Sequence, residues 1–242
     1  MGKIIKDKLI YAIIPARSGS KGVIDKNIRS IDGKPLLSYA IAFAKAINAD
    51  RIICSTDSPD YAKIAEFYGA QVPFLRSRKA ASDSAMEGDI LEDLYANFEK
   101  MKISQPDYII WLRPTFVFRD KVSILNCLEV LEKDQTLSSA RTVCEAESRL
   151  YSLNIDKLLI PNFEDSGKSM IRRQDVESKF KVYSTDIIRS NTKDFSNTFL
   201  GNKVFGYEID KICGLDIDDE IDFKIVELLV KYEKSLINQY LY

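Results

Sequence analysis

The chain of 242 residues contains no histidine. That absence excludes Ser-His-Asp and Cys-His nucleophiles, histidine general bases and histidine-ligated zinc. What remains is chemistry by carboxylates, lysines, arginines and bound metal. Cysteine is scarce as well: Cys54, Cys127, Cys144 and Cys213 are scattered, with no C-x-x-C pair, so no metal-finger spacing exists and a reduced, cytoplasmic setting is expected. Neither sign of charge predominates, 35 basic side chains standing against 36 acidic ones for a net charge of −1. Such a balance gives no general attraction to nucleic acid or to an anionic membrane surface. No apolar run approaches the roughly 20 residues of a membrane span, and Met1–Lys8 lacks the apolar core of a signal peptide. Gly2 does not make a myristoylation site, because position 6 is Lys6 rather than Ser or Thr.

Against these absences, residues 12–27 carry the densest signal. An apolar run, Ala12-Ile13-Ile14-Pro15, opens into Arg17-Ser18-Gly19-Ser20-Lys21-Gly22 and then Lys26-Asn27. Small residues let backbone N–H groups approach an anion, and the cations supply charge that amides alone lack, which is how a loop holds a polyphosphate. A dinucleotide fingerprint does not fit, since the loop offers only Gly19 and Gly22. A Walker A reading at Gly167-Lys168-Ser169 fails because glycine is required where Asn162 stands.

β-rich runs at 9–16, 51–55, 71–75, 108–112 and 137–143 alternate with helix-like segments at 35–47, 60–68, 86–102 and 121–133. The alternation predicts one α/β domain over residues 1–242 with a doubly wound, mostly parallel sheet. Asp83 and Ser84 offer caps for the third of those helices, and Gly69 offers a stop for the second. From about 145 to 189 the pattern turns polar and irregular, which reads as an insertion. A last helix is expected over 219–240, with Ile221, Ile225, Leu228, Leu229, Tyr232, Leu236 and Tyr240 as its packing stripe. Just before it, Asp216 and Asp218 stand two apart on an extended segment and so point to one side. Spacing alone leaves Mg²⁺ ligation and a helix cap equally open.

The phosphate loop, together with Ser55-Thr56-Asp57, Leu112-Arg113-Pro114-Thr115 and residues 215–222, resembles the CMP-sugar synthetases, the acylneuraminate cytidylyltransferase family, with this chain a divergent member. The resemblance implies a nucleotidyltransferase-like Rossmann architecture and transfer of CMP from CTP to an acidic sugar. It implies that Arg17 and Lys21 face the CTP phosphates with Lys26 assisting, that Ser18, Gly19 and Ser20 donate hydrogen bonds, and that Asn27 lies near the nucleotide. Arg76 and the segment through Ala85 would enclose cytosine and ribose. Mg²⁺ would sit on Asp216 and Asp218; with no histidine, deprotonating the sugar hydroxyl would fall to a metal-bound hydroxide or to a carboxylate, Asp218 being the candidate. Arg113, Thr115, Arg173 and Lys181 would meet the sugar, and the 145–189 excursion would reach a partner subunit in a homodimer.

Several positions depart from the family pattern. Many sialic-acid-using members carry Gln-Pro-Thr-Ser-Pro where this chain has Arg113-Pro114-Thr115-Phe116-Val117; Lys181 replaces an arginine, and Tyr183-Ser184 an Asn-Gly. The changed pocket leaves two rival readings: transfer of another nucleotide or to another sugar, and a non-catalytic nucleotide-binding homologue.

Overall fold

The computed structural model describes residues 4–20, 22–164, 171–182, 184–190 and 198–242, the side chain of Arg173 excepted. Lys21, Tyr183 and Gly167-Lys168-Ser169 lie outside the described residues. Along the chain, β1 (Ile10–Pro15) leads through a short hairpin, β2 (Ser30–Ile31) and β3 (Lys34–Pro35), into α1 (Leu36–Ala46). Next come β4 (Arg51–Ser55), α2 (Pro59–Phe67), α3 (Arg78–Ala81), α4 (Glu87–Lys100), β5 (Tyr108–Leu112), α5 (Lys121–Lys133) and β6 (Ser139–Glu145). A second hairpin, β7 (Tyr151–Leu153) and β8 (Leu159–Pro161), precedes β9 (Phe180–Lys181), β10 (Thr185–Arg189), β11 (Val204–Glu208), α6 (Glu220–Tyr232) and α7 (Lys234–Ile237).

The main sheet has the order β11-β6-β10-β5-β1-β4. Its pairs are parallel except those of β10, which runs antiparallel between β5 and β6, and that of β9, which joins β6 antiparallel off this path. Apolar residues fill both faces of the central strands: β1 and β5 alternate between Ala12, Ile14, Ile110 and Leu112 on one side and Tyr11, Ile13, Ile109 and Trp111 on the other. Helices α1 and α5 cover the first face and α4 the second, the two-sided burial that parallel sheets require. Gly69 does close α2, adopting φ +96° with its N–H on the Glu66 carbonyl. Among the described residues no helix is long and apolar enough to cross a membrane.

Four expectations change. Residues 71–75 form no strand; a single bridge joins Gln71 to Ile53 before Pro73, which has no N–H for a ladder, turns the chain away. Helix α4 starts at Glu87 and uses Asp89 to accept the Met86 N–H, so Asp83 and Ser84 are not its caps. The segment read as an insertion over 145–189 ends in the sheet, because β10 is buried throughout; its Asp186 and Arg189 are buried polar residues whose partners lie far off in sequence, and their charge masked a core strand. The last helix breaks at Glu233 and packs through Phe223, Val226, Val230 and Ile237, while Ile221, Ile225, Leu228, Tyr232 and Leu236 are exposed. Two apolar stripes at helical spacing compete here, and the one carrying Phe223 is buried against Val117, Phe118 and Ile217.

Candidate active site

Strands β1, β4 and β5 end together, and the loops leaving them build a cleft of about 490 Å³, at the carboxyl edge where open α/β sheets bind ligands. After β1, the Ala16 N–H still bonds the Ser55 carbonyl at 2.9 Å. The chain then turns: Asp57 accepts from both the amide and the hydroxyl of Ser18 at 2.8 Å each. Burial pulls the Asp57 carboxyl up, but those two bonds, a backbone hydrogen bond of its own and the Arg76 charge together outweigh it and hold its pKa below the ordinary value. Gly19 takes a left-handed conformation, φ +70°. Gly22 is needed for another reason, since a Cβ there would lie 2.5 Å from the Asp218 carbonyl oxygen. The phosphate-type loop therefore sits directly against the acidic segment, and Lys26 completes the contact by donating to the Ile217 carbonyl at 2.6 Å. Asn27 donates to the Arg17 carbonyl at 3.0 Å, and Arg17 reaches Asp83 at 2.7 Å across the cleft mouth.

At the β4 end, Arg76 donates through Nε to the Ser55 hydroxyl and through Nη2 to the Ser55 carbonyl, each at 2.8 Å. Burial pushes its pKa down to about 10. At the β5 end, Thr115 hydrogen-bonds the Asp216 carboxylate, and its carbonyl accepts the Ile217 N–H. Burial, with Asp218 adding to it, raises the pKa of Asp216; one of its oxygens, Oδ1, is buried with no partner. The helix cap falls to Asp219, which accepts from Ile221 and Asp222, so Asp218 is not the cap of α6 and stands exposed beside Asp216. An orphaned buried oxygen next to a second carboxylate is what a hard cation's donor set looks like. Among the described residues no cluster of three or more His, Cys, Asp or Glu could hold a metal, so further ligands would be phosphate oxygens and waters, as Mg²⁺ prefers.

Of the residues singled out from sequence, Arg17, Ser20, Lys26, Asn27, Arg76, Ala85, Arg113 and Thr115 line this one cleft. Ser18 and Gly19 shape its loop. Lys181 does not line it: the residue borders a neighbouring cavity of about 370 Å³ with Cys144 and Lys211, close enough for its charge to act on Asp216. Arg173 lies in a short turn, Arg173–Asp175. Arg113 stands in the cleft wall but is held by carboxylates, Nη1 on Asp186 at 2.8 Å and Nη2 on Glu87 at 2.9 Å. Asp186, fully buried, is also held by Arg141 through Nε at 2.5 Å and Nη2 at 3.1 Å. Glu87, Asp186 and Arg141 gave no sequence signal, because their partners lie 26, 73 and 45 residues away.

A family model described as cytidylyltransferase matches residues 11–196. The chain belongs to the cytidylyltransferase family. This cytidylyltransferase is 38% identical over 231 residues, 92% of the chain, to the pseudaminic acid cytidylyltransferase of Campylobacter jejuni, covering 97% of that protein. It is 32% identical over 225 residues, 89% of the chain, to the N-acylneuraminate cytidylyltransferase of Escherichia coli O18:K1:H7, but spans 51% of that protein's length. A solved CMP:2-keto-3-deoxy-manno-octonic acid synthetase complexed with CTP superposes with a TM-score of 0.64 at 17% identity, covering 93% of this chain and 99% of that one. That likeness shows a shared fold.

Proposed function

We propose that this cytidylyltransferase joins CTP to the anomeric hydroxyl of a nonulosonic acid, a 2-keto-3-deoxy sugar acid, giving the CMP-sugar and pyrophosphate. The observation carrying the reading is the cleft itself, lined by Arg17, Lys26, Arg76 and Arg113, with Lys26 close enough for its charge to act on Asp216, whose Oδ1 is buried without a partner behind the cleft wall. The names of the relatives support the acid-sugar substrate. In the step proposed, the sugar oxygen bonds the α-phosphorus, the bond to the β-phosphate oxygen breaks, and pyrophosphate leaves. Arg17, Lys26 and the loop amides stabilise the charge that gathers on the departing group. Asp216 and Asp218 would hold Mg²⁺, which when bound neutralises and polarises phosphate oxygens. The hydroxyl proton passes to a carboxylate oxygen of Asp218 not engaged by the cation. Arg76 and the Ala81–Ala85 segment are assigned to cytosine and ribose.

The oligomer belongs to the same proposal. Strands β7 and β8 form a two-stranded sheet apart from the main one, and Leu153, Ile155, Leu158 and Leu159 on it are 62–97% exposed. An isolated hairpin is marginal in water and such a surface requires a cover; a second copy of the chain supplies it in a homodimer. Purified protein incubated with CTP, Mg²⁺ and N-acetylneuraminic, N,N′-diacetyllegionaminic or pseudaminic acid should release pyrophosphate with at least one sugar. No release with any of the three, from protein that binds CTP, would contradict the reading.

A further inference from the structure

The order of strands separates two halves of the cleft. Arg76 is bonded to Ser55 on β4, whereas Arg113 directly follows β5 and is bonded to Asp186 on β10. With β1 and β5 between them, β4 and β10 stand three inter-strand spacings apart, about 14 Å. The loop after β1 and the carboxylates beside Thr115 fall between. If the nucleoside lies at Arg76, as proposed above, an in-line attack on the α-phosphate comes from the side away from the departing pyrophosphate, toward β5 and β10. At that side one part-exposed polar group is the carboxylate of Glu87, the first residue of α4, which lines the cleft near Ile90.

Arg113 itself is poorly placed to meet the substrate carboxylate. Its guanidinium is shared between Asp186 and Glu87, its side chain is 14% exposed, and Arg119, fully buried, donates to its carbonyl. A fork of this kind fixes the direction of both carboxylates, and lysine cannot reproduce it. We propose that Arg113 is a positioning residue that aims Glu87 into the acid-sugar half of the cleft, where Glu87 accepts a hydrogen bond from an N–H or O–H donor of the sugar. The sugar class that fits best carries an acylamino group, its N–H on Glu87 and its methyl against Ile90. The inference rests on the acid-sugar reading above and adds to it the residue pair that selects the sugar.

The test is steady-state pyrophosphate release by the full chain and its E87Q, R113Q, R113K and E87Q/R113Q variants, with CTP and the three nonulosonic acids varied separately. E87Q and R113Q each raise the sugar KM about tenfold and leave the CTP KM within about twofold. R113K falls between them and the parent. Because Arg113 acts through Glu87, the double variant is no worse than the worse single one. A raised CTP KM with an unchanged sugar KM, sugar KM values that do not move, or effects that add in the double variant would overturn the proposal. E87Q alters a part-exposed side chain at constant shape, so it reports even where an Arg113 variant folds poorly. Failure of the parent chain with every sugar contradicts the acid-sugar reading instead, and the fork proposal falls with it.

Discussion

The two ends of the cleft are built in opposite ways. At the β1 end, residues 16–27 bring the functional groups from one contiguous stretch, a left-handed glycine with Arg17 and Lys26, while Asp57 and the Ile217 carbonyl hold that stretch in place from outside it. At the β5–β10 end the fork brings together Glu87, Arg141 and Asp186 from three separate elements and Arg113 from the loop after β5. In the proposed reading the first arrangement would hold an anion that every nucleoside triphosphate shares, and the second could be rebuilt by changing one or two side chains. The difference teaches where such a chain keeps its reaction and where it can vary its substrate: the local loop is general, the long-range fork is particular.

The largest expected effect comes from the junction of the two ends. Asp216→Asn should lower turnover about 1,000-fold, the upper end of what loss of one electrostatic group costs. The same change should stabilise the protein. Because burial raises the pKa of Asp216, ionisation weakens the fold as pH rises through the ordinary carboxylate range, and an uncharged amide removes that penalty at neutral pH. Parallel kinetics and thermal melts check both halves; a destabilised, inactive variant would assign Asp216 to structure. Arg17→Ala, at the local end, should cost about 100-fold in turnover with little change in melting temperature, since its partner Asp83 is exposed.

Asp186→Ala should do the reverse, acting on stability first. It leaves Arg113 and Arg141 without their shared buried acceptor, a change of the class that costs roughly 3–5 kcal/mol. Urea denaturation reads it directly. The smallest effect is expected at Asp57, whose pKa is held down by Ser18. A lowered carboxylate contributes stability above its unfolded pKa and loses it as pH falls through the lowered value. Asp57→Asn should therefore flatten the acid limb of the stability profile by lowering stability near neutral pH, the variant and parent converging at the acid end, which melts from about pH 2 to 7 would show.

The contrast also explains what was legible in the sequence. Strands β1, β4, β5 and β6, and helices α1, α2, α4 and α5, follow from apolar runs and helical spacing, because local chain composition decides them. The phosphate-type loop was legible for the same reason. Strand β10 was not, since Asp186 and Arg189 look like surface residues until their partners are known. Nor was the packing face of α6, where two apolar stripes run at equal spacing and only the neighbouring Val117, Phe118 and Ile217 choose between them. Arg113 was visible as a cation near the site, but the carboxylates that hold it were not.

The central claim is that this cleft is built for CTP. Thermal stability measured with each of the four nucleoside triphosphates in Mg²⁺ tests it without any knowledge of the sugar. Ligand at about 100 times its dissociation constant adds about 2.7 kcal/mol, some 5–10 °C for a chain of this length. A shift of that size confined to CTP is the result expected; equal shifts with all four, or none with any, would contradict the account.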